Sequence, residues 1–291
     1  MIPLHEAHNK FISHLTEKKR SKSTVLAYGK DIEQLLGHLK TNGIEHVHHV
    51  KKDDIEKFMR KLTDEGYTSK SISRKTNSTK TFFRYLQINE YISDDPAALV
   101  AHPSYETKAP RILSKTEYRA LRDSAKNDIR IYTIIELLLQ TGIRIGELAN
   151  LKMEDISFSE DQLQGEIRVT EAGKMNRSVP LNKSSETALK KYFEIRPQVK
   201  EKTLFITKTG RPLLVRNIRT AIDRYFKLAG IKNAKVNDLR HTFVAHHLKA
   251  GANLVLISKL AGHKRISTTE KYLEYISPDE ESVDKVKLEE L

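Results

Sequence analysis

The sequence contains no cysteine among its 291 residues. Disulfide bonds and thiolate metal sites are therefore excluded, which fits a reducing compartment. Long hydrophobic runs are missing too, since no stretch approaches the roughly 20 apolar residues of a membrane span. The first ten residues, MIPLHEAHNK, lack the charged and then apolar layout of a secretion signal. We therefore expect a cytoplasmic protein that does not associate with membranes.

Positive charge is in excess and unevenly distributed. The chain has 51 lysines and arginines against 38 acidic side chains, a net charge of +13. Residues 1–102 contribute +4 and residues 276–291 contribute −4, so a net +13 belongs to residues 103–275. Such concentration is more typical of a polyanion-binding surface than of charge that only confers solubility. DNA or RNA is therefore the expected partner.

The N-terminal hundred residues show neither helix-breaking prolines nor β-type alternation. Four apolar stripes with helical spacing begin at Leu4, Val25, Ile55 and Ile72. They predict a small all-α bundle over residues 1–101. Its exposed faces carry basic side chains usable for phosphate contact, although a solvated face is the alternative: Lys70, Arg74, Lys75, Lys80 and Arg84.

Residues 102–112 hold two prolines and no periodic apolar pattern, so we interpret them as a linker. A second domain, 113–291, opens with a capping box formed by Ser114 and Glu117. Periodicity predicts its helices at 128–140, 145–152, 184–195, 215–229, 238–250, 253–261 and 267–276, and its strands at 165–170, 177–181 and 203–207. Strands on both sides of EAGKMN predict a β-hairpin. Residues 277–291 form an acidic tail.

Two arginines in this domain need an anionic partner. In TGIRIGELANL, Arg144 lies between two isoleucines where the chain turns, and the residues alone favour a salt bridge with Glu147 over an external anion. In VNDLRHTFVAHHL, Arg240 stands at a helix start, where a cation opposes the macrodipole unless an anion is bound. Three nearby histidines lack a matching carboxylate for metal binding, and we interpret them as surface or packing residues: His241, His246 and His247.

The segment GHKRISTTEKYLEY combines a histidine with two tyrosines. Ser267 and Glu270 match a second capping box, which predicts a new helix from Ser267 after a turn at 262–265. In one continuous helix, His263 and Tyr272 would lie on opposite faces. The turn allows them to converge.

Taken in order, TGIRIGEL, EAGKMNRSVPL, NDLRHTF and AGHKRISTTEKY resemble the motifs of the tyrosine recombinase (phage integrase) family, and the chain looks Xer-like. The N-terminal bundle is similar to the family's SAM-like core-binding domain, so the resemblance spans nearly the whole chain. It implies a mainly α fold, with a four-helix core-binding domain that clamps DNA. The other domain would be an α+β catalytic domain of the DNA breaking-rejoining type with a small antiparallel sheet.

The resemblance also implies roles for individual residues. Arg144 and Arg240 would bracket the scissile phosphate, His263 would hydrogen-bond a non-bridging oxygen, Lys174 would protonate the leaving 5′-oxygen and Tyr272 would be the nucleophile. Fixed cations are needed because a phenol with a pKa near ~10 is a weak nucleophile at neutral pH. No metal and no cofactor is expected.

Two departures from the family pattern stand out. Asn237 occupies the position, three residues before the second arginine, that usually holds His or Lys, and an amide carries neither a proton nor a charge there. The hairpin offers the single Lys174 where two lysines are usual. Lys264 and Arg265 are expected to position DNA phosphates, and Tyr275 to be a core or interface residue.

The leading hypothesis is therefore a site-specific recombinase that binds a double-stranded DNA site, assembles into a tetramer on it, and acts in DNA integration or chromosome-dimer resolution. A second recombinase or an accessory protein is a possible partner, and a nucleoid-associated location follows. Three alternatives stay open: a weak or inactive DNA-binding relative marked by Asn237, a type IB topoisomerase, and a helix-turn-helix repressor. The repressor ranks last because its glycine is misplaced for that motif.

Overall fold

The computed structural model describes residues 1–106, 108–159, 165–170 and 176–276. Two compact units make up the chain, Met1–Thr107 and Lys108–Leu291, and the division between them falls inside the predicted linker. Lys174 and the acidic tail from residue 277 lie outside the described residues.

The first unit is a helical bundle. Its helices are α1 (Leu4–Glu17), α2 (Lys22–Thr41), α3 (Lys52–Asp64) and α4 (Ser69–Ile88), with a short 3-10 turn at Val47–His49. Hydroxyl groups cap two of them, because Ser21 accepts from the Thr24 amide and Thr68 from the Ser71 amide. The apolar stripes pack into one core, in which Phe11, Phe58, Phe82 and Phe83 are almost fully buried.

The second unit combines eight helices with a small sheet in its described part. The helices are α5 (Lys115–Ala125), α6 (Ile129–Thr141), α7 (Ile145–Asn150), α8 (Lys183–Ile195), α9 (Val215–Leu228), α10 (Val236–Lys249), α11 (Leu254–Ala261) and α12 (Ser267–Glu270). The predicted capping box of α5 is present: Ser114 accepts from the Glu117 amide, and the Glu117 carboxylate accepts from the Ser114 amide. Helix α6 packs against α5, α8, α9 and α10 and carries the largest share of the core.

The sheet has three antiparallel strands, β1 (Ile156–Ser157), β2 (Glu166–Val169) and β3 (Arg177–Pro180), in the order β1-β2-β3. Strands β2 and β3 pair through the register Arg168 to Ser178, as the predicted hairpin requires, while its turn lies outside the described residues. The two-residue β1 was not predicted. The mainly helical fold with a small antiparallel sheet is confirmed.

Two local predictions were wrong. Residues 203–207 form no strand: Lys152 and Thr203 make one isolated bridge, and Ile206 and Pro212 another. A proline cannot donate to a strand ladder, so the buried apolar run there has no regular partner.

The last helix is also different from the prediction. Helix α12 begins at Ser267 but ends at Glu270, followed by turns, instead of continuing to residue 276. Ser267 is its first helical residue and no side chain caps it, so the predicted capping box is absent. Within the described residues, no helix combines the length and apolar character needed to cross a membrane.

Candidate active site

Glu147 lies at the centre of the site, with only 1% of its side chain exposed. Helix α6 ends at Gly142 in the left-handed conformation, where a Cβ atom would lie 2.2 Å from the Phe243 ring, so glycine is required. The chain then turns into α7, whose N-cap is Arg144. The Arg144 amide donates to Glu147 Oε2 at 2.7 Å, and its Nη1 donates to Oε1 at 2.9 Å. The salt bridge predicted between them is therefore present.

Arg177, on β3, is a site residue that the sequence reasoning missed. Its two terminal nitrogens donate to both carboxylate oxygens of Glu147, at 3.0 and 2.7 Å, and its Nε donates to the Leu260 carbonyl at 2.8 Å. A signal existed, because strand alternation places Arg177 on the same face as the buried Val179 and Leu181. Arg177 thereby ties the sheet to α7 and α11.

The carboxylate of Glu147 stays ionised under these arginines. Burial alone would raise its pKa, but hydrogen bonds from Arg177 and the Arg144 amide, together with the charges of both guanidiniums, lower the pKa to about 2. Glu147 neutralises one positive charge, whereas Arg144 and Arg177 supply two. A net positive charge therefore remains beside it.

Arg240, on α10, adds a third guanidinium. It is 7% exposed, and its Nη1 donates to the Gly142 carbonyl at 2.5 Å. Burial, followed by repulsion from Arg144, lowers its pKa to about 10, so it remains charged at neutral pH. In the described ranges it forms no ion pair with a carboxylate. A bound anion would relieve the repulsion between Arg240 and Arg144. Paired arginines of this kind are typical of a phosphate-binding site.

The loop after α11 joins this cluster through Gly262. Arg144 Nη2 donates to the Gly262 carbonyl at 2.5 Å, and a Cβ atom on Gly262, whose φ is +67°, would lie 2.8 Å from the Arg177 guanidinium. His263 follows, with its Nδ1 at 2.7 Å from Thr269 Oγ1. Burial and the nearby arginine charges lower the pKa of His263 to about 4, so its ring is neutral at pH 7.

Tyr272 lies against both of the neighbouring histidines. Its ring is nearly parallel to that of His263, with centroids 6.3 Å apart, and its hydroxyl lies 2.5 Å from His241 Nδ1. Tyr272 is 5% exposed. Burial raises the pKa of its hydroxyl, while the charge of Arg240 opposes that rise. A buried phenol beside a guanidinium is an arrangement suited to a nucleophile for phosphoryl transfer.

Most of the predicted residues therefore meet in one place. Arg144, Arg240, His263 and Tyr272 converge around the Gly262 loop, although they come from four separate segments. Asn237, in contrast, is exposed at the start of α10. His241, which the sequence reasoning treated as a surface or packing residue, contacts the Tyr272 hydroxyl.

The basic residues predicted to contact DNA differ in their exposure. Lys264 and Arg265 are exposed beside the site, and Lys70 is exposed at the start of α4. Lys80 is partly exposed and donates to the Ala98 carbonyl at 3.1 Å. Arg74 is half exposed and paired with the carboxylate of Asp31 on α2.

The prediction that Lys75 lies on an exposed face was wrong. Only 8% of its side chain is exposed, and its ammonium donates to Asp31 at 3.0 Å and to Gln34 at 2.7 Å. This lysine lies inside the first unit and not on a phosphate-facing surface. Tyr275 is 39% exposed, so it is not a core residue of the described chain.

Two family models and individual known proteins match this chain over most of its length. The family described as "Phage integrase family" matches residues 106–276, and "Phage integrase, N-terminal SAM-like domain" matches residues 9–89. Tyrosine recombinase XerD of Staphylococcus epidermidis is 33% identical over 266 residues, covering 88% of this chain and 89% of the relative.

Solved structures share the fold. XerH site-specific recombinase bound to a palindromic difH substrate, in a post-cleavage complex, superposes with a TM-score of 0.75 at 18% identity, covering 94% of this chain and 83% of that one. A lambda integrase tetramer bound to a Holliday junction gives a TM-score of 0.73 at 18% identity, covering 92% and 79%. The chain belongs to the phage integrase family of tyrosine recombinases.

Proposed function

We propose that this enzyme cuts and rejoins DNA strands at a specific site, with Tyr272 as the nucleophile. The observation that supports this most is the convergence of Tyr272 and His263 with three guanidiniums, which among the described residues share the single carboxylate of Glu147. A phosphodiester supplies the missing negative charge and also the electrophile.

The proposed mechanism begins with the binding of the scissile phosphate. Arg144 and Arg240 bind the non-bridging oxygens of the scissile phosphate and stabilise the charge that develops on them. When the Thr269 hydroxyl donates to His263 Nδ1, the neutral ring carries its proton on Nε2, from which it donates to one of these oxygens.

Cleavage exchanges one phosphoester for another. The Tyr272 oxygen attacks phosphorus, and the bond to the 5′-oxygen breaks. Lys174 is the proposed donor of the proton that this leaving oxygen takes up. The product is a 3′-phosphotyrosyl link and a free 5′-hydroxyl. Because the phosphodiester energy is kept in the covalent link, rejoining to another strand needs neither ATP nor a metal.

We further propose that residues 1–101 and residues 113–291, joined by the linker 102–112, each contribute contacts to a double-stranded DNA site. Lys70, Arg74, Lys80, Lys264 and Arg265 are the proposed phosphate contacts, and Lys75 is left out because it is buried.

Recombination of two duplexes needs four active sites, so we propose that the chain forms a tetramer on DNA. The lambda integrase tetramer on a Holliday junction supports this by analogy. We propose DNA integration or chromosome-dimer resolution as the setting, with a second recombinase or an accessory protein as a partner and the nucleoid as the location. The likeness to tyrosine recombinase XerD supports a recombinase of this type.

The test is to trap the covalent link. A recognition site is first selected by binding from random duplexes, and a nicked version of it is incubated with the chain in EDTA. The wild type and Tyr275→Phe are expected to form a denaturation-resistant adduct, whereas Tyr272→Phe forms none. A wild type that binds the selected site but yields no adduct would refute the proposal in favour of an inactive relative. Relaxation of supercoiled plasmids without any selected site would favour a type IB topoisomerase.

A further inference from the structure

His241 stands next to Tyr272 in a way that its sequence position did not predict. Its Nδ1 lies 2.5 Å from the phenol oxygen, and it comes from α10, one turn after Asn237. Residues four apart share a helix face. Asn237 is exposed, and its amide cannot take up a proton. The imidazole of His241, one turn further along the helix, can accept one.

The charged and titratable groups around His241 leave its ring neutral. Burial and the charge of Arg240 lower the pKa of His241, and Asp238 on the same helix raises it by a smaller amount than burial lowers it. The neighbouring groups from other segments are Tyr272 and His263. A neutral ring with its hydrogen on Nε2 presents a free lone pair on Nδ1, which accepts the phenol hydrogen.

Other nearby groups are less suited to that role. An arginine has only donors and does not give up its proton at neutral pH, so Arg240 cannot accept one. His263 directs its Nδ1 to Thr269, and its ring lies nearly parallel to that of Tyr272. Among the described residues, His241 makes the hydrogen bond to the Tyr272 hydroxyl.

We propose that His241 is the general base that accepts the Tyr272 proton during strand cleavage. The bond between the phenol oxygen and phosphorus forms as the hydroxyl proton moves to His241 Nδ1, and the bond from phosphorus to the 5′-oxygen breaks. The leaving oxygen takes its own proton from Lys174 or from water. The imidazolium then returns its proton to Tyr272 when the strand is rejoined. This inference rests on the function proposed above.

The experiment measures the single-turnover rate of adduct formation on saturating nicked site DNA between pH 6 and 9. His241→Gln keeps the size and a hydrogen-bonding group but cannot take up the proton, and His241→Ala opens the space for added imidazole. His247→Gln is the matched control, because His247 is also partly buried on α10 but packs against Phe243 and His246. DNA-binding midpoints and thermal denaturation show whether each variant is folded.

At pH 7 we expect His241→Gln to react about 10²- to 10⁴-fold more slowly than the wild type, with unchanged DNA binding. Its rate should rise roughly tenfold per pH unit up to pH 9, because the reaction then depends on free phenolate. The wild-type rate should be nearly flat above pH 7. Imidazole should partly restore His241→Ala, and His247→Gln should react at the wild-type rate.

Other outcomes overturn the proposal. A His241→Gln rate within about threefold of the wild type would mean that no proton transfer to this ring is needed, and a faster rate would mean that the hydrogen bond restrains Tyr272. A slow variant with the wild-type pH profile would assign His241 a structural role only. If the wild type forms an adduct in these cases, the proposed function stands. Without any wild-type adduct, both proposals fail.

Discussion

Replacing Glu147 with glutamine is expected to destabilise the second unit strongly. The carboxylate accepts four hydrogen bonds at 2.7–3.0 Å, two from Arg144 and two from Arg177. A glutamine has one oxygen, and its NH₂ group would face two of these donors. The loss of about two hydrogen bonds to a charged group, at about 1.5–3 kcal/mol each, gives about 3–6 kcal/mol.

The pKa of Glu147 provides a second route to the same magnitude. It is about 2 in the folded chain, against an ordinary value of 4.5. This difference corresponds to about 3 kcal/mol of stabilisation. Because the folded pKa is the lower one, the stabilisation is complete above about pH 5 and is lost as the pH falls towards 2, where the folded protein also takes up the proton.

The assay is urea denaturation of the full chain, read by hydrogen exchange of peptides from α6 and α7, so that opening of the second unit is seen by itself. At pH 7 the wild type should exceed Glu147→Gln by about 3 kcal/mol in free energy of unfolding, and at pH 3 by about 1.4 kcal/mol. Glu154→Gln is the control, because Glu154 pairs with Lys152 at 3.3 Å on the surface and should change stability by less than about 0.5 kcal/mol. A Glu147→Gln loss below about 1 kcal/mol, or one independent of pH, would refute the reasoning.

Three further substitutions test separate parts of the structure. Gly262→Ala places a methyl group against the Arg177 guanidinium, at a φ of +67°, and should slow adduct formation at least about tenfold. Thr269→Val removes the hydroxyl at 2.7 Å from His263 and should slow adduct formation about tenfold without changing DNA affinity, measured by titration. Asp31→Asn leaves Lys75 buried without its carboxylate and should lower the free energy of unfolding of the first unit by about 3–5 kcal/mol, measured with urea.

Each substitution has a matched control. Gly251→Ala, at a φ of +81° with no atom within 4 Å of the added methyl, should react at the full rate, and an equal slowing in both glycine variants would point to backbone strain alone. Thr269→Ser should restore the wild-type rate, and failure to do so would exclude the hydroxyl as the cause. Asp53→Asn, at an exposed ion pair, should lower the free energy of unfolding by less than about 1 kcal/mol. An equally small loss for Asp31→Asn would show that its pairing with buried Lys75 contributes no more than a surface pair.

Much of the fold could be predicted because helical periodicity is a local property. The stripes beginning at Leu4, Val25, Ile55 and Ile72 each became a helix. The strand prediction for residues 203–207 was wrong because a buried apolar run indicates burial and not the presence of a pairing strand. The segment that bridges to Ile206 contains Pro212, which cannot extend a ladder. The cap predicted at Ser267 failed because Ile266 already has helical backbone angles, so the serine is inside the helix.

The site could be predicted in part for a similar reason. Arg144 and Arg240 stand out because each is a cation at a turn or a helix start, where local reasoning demands an anion. Arg177 and His241 carry no such local conflict, and their partners, Glu147 and Tyr272, lie about 30 residues away in the sequence. Only the packing of β3 and α10 brings these pairs together.

The hydrogen bond from Arg144 to the Gly262 carbonyl joins residues 118 positions apart. At a synthesis rate of about 5–20 residues per second, Arg144 precedes Gly262 out of the ribosome's catalytic centre by roughly 6–24 s. During that interval the nascent chain has Arg144 but has neither the loop that carries His263 nor Tyr272, the proposed nucleophile. The proposed nucleophile is therefore the last of these site residues to be synthesised, so we expect that a chain interrupted before residue 272 forms no covalent link to DNA.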